Sequence, residues 1–235
     1  FGVPLIPVHH IRGHISANYI AHPELEPPFV CLCMSGGNTL IADVRSYTDM
    51  EVMGATRDDA AGECFDKAAR VLGIGYPGGG PMDQLAQQSK GGVYQLPKAH
   101  VDGAELDMSF SGLKTAVVNL AHHAQQTGEK LDEAALARDF TRAVSDELVP
   151  RAMKAAREKG YRKLVAAGGV AANSIIRADL ERECTHSGIQ LYLPPLSLCG
   201  DNGAMVGAQG YYEYLDSHTA GSDLNAYATR DLGRG

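Results

Sequence analysis

Hydrophobic and polar positions follow two rhythms along this chain. Residues 29–34 (Phe-Val-Cys-Leu-Cys-Met) form an unbroken apolar run, and residues 39–44 and 51–56 follow it after turn signals. The pattern predicts three successive strands, the first two joined by a glycine-rich hairpin tip at Ser35-Gly36-Gly37-Asn38. Residues 58–72 switch to apolar spacings of three and four, which predicts a helix. Further helices are expected from about residue 109 to 124, over 131–159 with a break or kink near Pro150, over 174–183, and from the turn at 200–203 to about Tyr214. Strands are expected at 163–167 and 190–193, with a turn at 168–173 between the first of them and its helix. At the front, residues 3–8 read as a short strand before a helix opening around His9 to His14. Residues 76–81 (Tyr-Pro-Gly-Gly-Gly-Pro) read as an irregular loop, and residues 217–235 as a loosely structured tail. Strands first in a meander and then alternating with helices make a mixed α/β chain.

At 235 residues and 44% hydrophobic, the chain can bury a sizeable core as one large or two modest domains. No apolar run approaches the roughly 20 residues of a membrane-spanning helix. The net charge of −7 argues against gripping nucleic acid by bulk electrostatics alone, while leaving room for a local patch or a partner. Arg138, Arg142, Arg151, Lys154, Arg157, Lys159, Arg162 and Lys163 are interspersed with Asp139, Asp146, Glu147 and Glu158. That mixture reads as a solvated helix face before it reads as an RNA contact. Five cysteines without a C-x-x-C pair argue against a disulfide framework and for a reducing, cytoplasmic setting. Cys31 and Cys33 would share one strand face as small buried side chains. The opening Phe1-Gly2-Val3-Pro4 has no initiator Met and no signal segment, so the chain reads as starting inside a domain.

Candidate chemistry begins with His10 and His14. Four apart on a helix, they project from one face and suit two imidazoles converging on one metal ion. Asp201, after a strand and at a helix N-terminus, is the best remote carboxylate to complete the set; its ordinary role would be an N-cap. Ile11 stands where the zincin motif H-E-x-x-H puts its general base, so a protease lacks that group. Gly36-Gly37, Gly78-Gly79-Gly80 and Gly168-Gly169 could bring backbone N–H groups up to an anion or a nucleotide ring. Neither a P-loop nor a dinucleotide G-x-G-x-x-G is present, and Asp66, in mid-helix, reads by itself as a surface carboxylate.

A series of motifs occurs in order: His9-His10-Ile11-Arg12-Gly13-His14, Met34-Ser35-Gly36-Gly37-Asn38-Thr39, Asp58-Asp59-Ala60-Ala61-Gly62-Glu63, Phe65-Asp66-Lys67, Tyr76-Pro77-Gly78-Gly79, Ser109-Phe110-Ser111-Gly112-Leu113-Lys114-Thr115, Ala167-Gly168-Gly169-Val170-Ala171-Ala172-Asn173 and Asp201-Asn202-Gly203-Ala204-Met205. Together they resemble the TsaD family of tRNA threonylcarbamoyladenosine transferases, once described as O-sialoglycoprotein endopeptidases, from Pro4 to about Leu232. The resemblance implies an α/β, actin-like ATPase fold of the sugar kinase, Hsp70 and actin type. Residues 1–28 would end the N-terminal lobe, 29–216 would form the C-terminal lobe with helical insertions, and 217–235 a tail. It implies transfer of a threonylcarbamoyl group from threonylcarbamoyl-AMP to N6 of the adenosine beside the anticodon in tRNAs reading ANN codons. By the same resemblance His10, His14 and Asp201 hold one divalent metal, iron or else zinc. Cys33, Met34, Ser35, Gly36, Gly37, Asp66, Gly79, Asp83 and Asn173 would hold the adenylate. A TsaB-like paralogue and a TsaE-like ATPase are the implied partners, and the residue that removes the amine proton stays unassigned. Three departures stand out: an N-terminal lobe of about one hundred residues is missing, a third glycine follows Tyr76-Pro77, and Asn38 replaces a frequent His. An actin-like ATPase or kinase, a metalloprotease and a non-enzymatic paralogue are the competing readings.

Overall fold

The computed structural model describes residues 2–99, 101–228 and 232. The outermost residues of the sequence-based division, Phe1 and most of 229–235, lie outside the described residues. Helix α1 (His10–Ala21) comes first, followed by strands β1 (Phe29–Met34), β2 (Thr39–Val44) and β3 (Met50–Ala55). Helices α2 (Ala61–Val71), α3 (Gly79–Ala86), α4 (Ser111–Thr127) and α5 (Glu133–Lys159) come next. Then β4 (Lys163–Ala167), α6 (Ser174–Ser187), β5 (Gln190–Tyr192), α7 (Leu196–Cys199) and α8 (Gly203–Leu215) complete the chain.

The five strands form one sheet in the order β3-β2-β1-β4-β5, antiparallel across the meander and parallel from β1 through β4 to β5. Both faces are covered, which is why β1 is apolar at every position. Val30, Leu32 and Met34 point to one core with Ile41, Leu164 and Ala166, beneath α2, α4, α5 and α6. Phe29, Cys31 and Cys33 point to the other with Val165 and Ala167, against Ile11, Ile15 and Tyr19 of α1. The period of two along β1 therefore sorts its side chains between two helical layers. Helix α2 buries Ala61, Cys64, Phe65, Ala68 and Ala69, spaced by three and four as an amphipathic face requires. Phe65 meets Phe140 of α5 edge to face at 5.3 Å.

Several sequence expectations are corrected here. Residues 3–8 are not a strand: Pro4 and Pro7 remove backbone donors, and only Leu5 makes a bridge, to Ala220. Part of the 76–81 loop is helix, since α3 begins at Gly79 and holds Pro81 in its first turn. There a missing N–H costs nothing, because first-turn amides have no partner within the helix. Helix α5 is not broken at Pro150 but runs through it, with Pro150 and Asp146 both exposed on its solvent side. The tail is partly docked: Leu232 is buried in the α1-side core.

Helix α4 has no cap of its own at Phe110. Asp58 supplies one from a distance, accepting from Phe110 N at 2.8 Å, Ser111 N at 3.2 Å and Ser111 Oγ at 2.7 Å. Partial burial pushes its carboxyl pKa up, but these bonds and that of Ser109 outweigh it and hold it below the usual carboxylate range. A depressed folded pKa gives stability that is complete above the unfolded value of about 3.9 and lost as pH falls through the folded one. Asp58→Asn is therefore expected to lower stability at pH 7 by about 1 kcal/mol. Denaturant melts across the acid limb should show that difference vanishing as pH falls below about 4.

Candidate metal centre and substrate cleft

His9 starts α1 by accepting the Ile11 N–H on Nδ1 at 3.2 Å, which sets the helix phase for the histidines that follow. One turn apart, the His10 and His14 rings lie 4.8 Å centre to centre at 81°. Asp201 reaches them from the turn between α7 and α8, where the next residue, Asn202, caps α8 by accepting from Met205 N at 2.8 Å. Its Oδ1 is 3.1 Å from His14 Nε2 and 3.4 Å from His10 Nε2. The His14 side chain is only 1% exposed, against 51% for His10 and 73% for Asp201. Burial above all, and His10 next, lower the His14 pKa against the opposing pull of Asp201. A neutral imidazole is the form that ligates a metal.

The residues fit an ion. Neither ring nitrogen of buried His14 has a hydrogen-bond partner, since the approach of Asp201 is close without being aligned for one. Two donors each about 2.1 Å from a shared ion at about 90–110° would stand roughly 3.0–3.4 Å apart, which is the spacing of Asp201 from both histidines. Among the described residues no other cluster of His, Cys, Asp and Glu could share an ion.

The glycine turns meet elsewhere. A cavity of about 260 Å³ is walled by Gly36, Gly62, Phe65, Asp66, Pro77, Gly79, Gly80, Asp83, Gly169, Val170, Ala172 and Asn173. Five of the residues expected to hold the adenylate line it: Gly36, Asp66, Gly79, Asp83 and Asn173. Of the others, Cys33 and Met34 point into opposite cores of the sheet and are fully buried. Ser35 spends its Oγ inside the hairpin by accepting from Asn38 N at 3.1 Å, and Gly37 is exposed at the tip. Asp66 accepts from Gly78 N at 2.7 Å and so pins the entry of α3 to α2. Asp83 binds the start of α6 through Ser174 N at 3.1 Å and Ser174 Oγ at 2.7 Å. Asn173 caps α6 with Oδ1, accepting from Ile175 N and Ile176 N, while its buried Nδ2 has no partner. Helix α7 packs against both α1 and the turn at 169–172, linking the metal side to the cavity side.

Gly79 and Gly80 both stand in the wall, so the glycine-rich turn named from the sequence reaches the cavity through two of its three glycines. The sequence alone assigns Gly62 no site role, although a glycine inside a helical pattern is itself a signal of close approach. A Cβ on Gly62 would lie 2.5 Å from the Ser35 carbonyl oxygen. A larger, more open groove of about 1010 Å³ lies between the end of α2 and α4, lined by Val71, Val118, His122 and Glu129 among others, and holds none of the predicted site residues. Chemistry rather than size selects the smaller cavity. The basic series around α5 is largely engaged: Arg142 with Asp179, Arg151 with Glu147 and Lys159 with Asp43. Among the described residues, no helix is long and apolar enough to cross a membrane.

A family model described as TsaD, tRNA N6-adenosine threonylcarbamoyltransferase, matches residues 1–208. A protein of that name from Clostridium botulinum (strain Kyoto / Type A2) is 45% identical over 232 residues, covering 99% of this chain and 68% of the relative. One from Clostridium perfringens (strain SM101 / Type A) is 45% identical over 230 residues, covering 98% of this chain and 68% of the relative. Among solved structures, full-length HypF in its phosphate- and nucleotide-bound form matches with a TM-score of 0.69 at 15% identity, over 96% of this chain and 45% of that one. The Acidaminococcus fermentans (R)-2-hydroxyglutaryl-CoA dehydratase component A matches with a TM-score of 0.54 at 16% identity, over 89% of this chain and 69% of that one. These likenesses establish the fold as the mixed α/β, actin-like ATPase type expected from the motifs. The chain belongs to the TsaD family, whose members are transferases acting on N6 of adenosine in tRNA, and this activity displaces the ATPase, kinase and protease readings of its sequence.

Proposed function

We propose that the cavity holds the adenylate of threonylcarbamoyl-AMP and that His10, His14 and Asp201 hold one divalent metal, iron or zinc, toward its acyl end. The observation that carries this reading is the convergence of four remote segments on one cavity, with Asn173 in its wall and the Asn173 amide Nδ2 buried and unpartnered. A buried donor without an acceptor is costly, and a nucleotide ring or carbonyl would satisfy it. Gly36, Gly79, Gly80 and Gly169 line the same wall, where their backbone N–H groups would suit the phosphate. Asp66 and Asp83 act by position, tying α2 to α3 and α3 to α6 so that those amides keep their places. Cys33, Met34, Ser35 and Gly37 serve through the backbone that carries the hairpin to the cavity.

In the transfer, the adenosine N6 forms a bond to the carbamoyl carbon, the bond from that carbon to the AMP phosphate oxygen breaks, and N6 releases a proton. When bound, a divalent ion supplies Lewis acidity toward the carbonyl. The amine is a weak nucleophile, so holding donor and adenosine in register is the main contribution of the protein. Residues 1–28 are assigned to the end of an N-terminal lobe, 29–216 to the C-terminal lobe and 217–235 to a tail. A TsaB-like paralogue and a TsaE-like ATPase would share the work on tRNA in the cytoplasm, which fits the net charge of −7.

Calorimetric titration with threonylcarbamoyl-AMP tests the cavity. Asn173→Ala is expected to weaken binding roughly five- to tenfold, from one buried hydrogen bond, and to lower stability by about 1 kcal/mol through the lost cap. Unchanged donor affinity in that variant, or equal competition by ATP, would remove the assignment.

A further inference from the structure

Helix α8 carries Asp201 to the histidines, yet its buried face consists of Met205, Gln209 and Glu213, two of them polar. Each meets α1. A methyl group on Gly13 would lie 3.5 Å from the Met205 side chain. Ser16 Oγ donates to Gln209 Oε1 at 2.5 Å, and Arg12 Nη1 donates to Glu213 Oε1 at 2.9 Å. Gln209 Nε2 donates to the same Glu213 oxygen at 2.7 Å and to Tyr47 O at 3.2 Å. Glu213 Oε2 pairs with His218 Nδ1 at 2.6 Å, and Arg12 also donates to Leu232 O from Nε and Nη2. Arg12, Ser16, Gln209 and Glu213 are all nearly inaccessible to water.

The order of these contacts is informative. At about 100° per residue, His14, Gly13, Ser16 and Arg12 follow one another around the circumference of α1. They meet, in turn, Asp201, Met205, Gln209 and Glu213, which are spaced four apart. The α8 segment thus lies across α1, with the metal ligand at one end and the Arg12–Glu213 ion pair at the other. Asp201 lies two residues before α8 and is tied to its first turn through the Asn202 cap, so a rotation or tilt of α8 carries the carboxylate with it. Metal coordination tolerates displacements of only about 0.2 Å. A purely apolar seam would let α8 slide or roll, whereas paired buried polar groups penalise every register but one.

We propose that Arg12 and Glu213, with Ser16 and Gln209, are positioning residues: a buried polar ladder that sets the rotation and tilt of α8 so that Asp201 meets His10 and His14. Its consequence for metal affinity rests on the metal-site reading above; its consequence for geometry does not. Two variants separate positioning from stability. Glu213→Gln leaves Arg12 buried without its counter-charge, whereas Arg12→Met with Glu213→Gln removes both charges and should recover most of the lost thermal stability. Both are titrated with Co²⁺, followed by its visible absorption, beside the unaltered chain and His14→Ala. The expected result is about tenfold weaker Co²⁺ binding in both variants, in the range seen for groups that orient metal ligands. Affinity that returns to the native value together with stability in the double variant would overturn the proposal. Crystal structures of the metal-free double variant and of the unaltered chain provide the second arm. Asp201 Oδ1 should stand more than about 1 Å further from His14 Nε2 in the variant than in the unaltered chain, where it is 3.1 Å away. An unmoved Asp201 overturns the ladder. Equal Co²⁺ binding by His14→Ala would instead overturn the metal site, leaving the structural arm to decide the ladder.

Discussion

His14→Ala is expected to lose metal binding and to lower threonylcarbamoyl transfer to tRNA by about 10²- to 10³-fold. The magnitude follows from Lewis-acid stabilisation of several kcal/mol, each 1.36 kcal/mol being tenfold in rate. His14 is the informative member of the trio because its burial leaves it no alternative partner: both ring nitrogens lack hydrogen bonds. In chelator the substitution should cost the packing of a buried side chain, about 2 kcal/mol or more, so the metal effect is read as the shift on adding metal within each protein. With metal present at a hundred times its dissociation constant, the unaltered chain should gain about 2.7 kcal/mol from ligation, and the variant nothing. Thermal melts with and without metal measure this directly. A variant that gains as much from saturating metal as the unaltered chain does would show that His14 is not a ligand.

The second large effect is expected from a single methyl group. Gly168 joins β4 to the turn at 169–172 with φ +87° and ψ 169°, a region open essentially to glycine alone. A Cβ there would sit 2.3 Å from the Met34 carbonyl oxygen, where the end of β1 passes. Gly168→Ala should cost about 3 kcal/mol or more, from backbone strain and forced separation of the two segments. That corresponds to a fall in Tm of about 10 °C for a domain of this size. Donor affinity should fall with it, since Gly169 and Gly36 line the cavity on the two sides of this contact. Gly169→Ala is the control: a Cβ there meets nothing within 4 Å and should leave Tm within about 1–2 °C. If the two variants melt alike, the close approach of β1 to this turn is not what shapes the cleft.

These two sites differ in how far they could be read from the sequence. The i, i+4 spacing of His10 and His14 is a local property, and a helix of any origin would bring the two rings to one face. Asp201 lies far along the chain, and its place in the trio follows from the packing of α8 on α1. The strands were legible because both faces of the sheet are covered, which makes β1 and β4 almost wholly apolar. Helix α3 was not, because Gly79, Gly80 and Pro81 are poor helix residues in the interior but harmless in a first turn. Its later residues Met82 and Ala86, buried four apart, carried the one periodic signal.

Arg12 shows the limit most clearly. In the sequence it is a spacer between two histidines; in the fold it is buried, paired with Glu213 and bound to the Leu232 carbonyl. No local pattern announces such a partner, because an ion pair two hundred residues apart depends on where α8 crosses α1. By itself the sequence determined the alternation of strands and helices, the glycine turns, the paired imidazoles and the family, all of which depend on near neighbours or on ordered motifs. Tertiary structure decided which turns share a cavity, which side chain in its wall keeps an unpaired buried donor, and how close Asp201, already named from the sequence, stands to both histidines. Those relations join segments remote in the chain, and only the packing of α1, α7 and α8 around the sheet brings such segments within bonding distance.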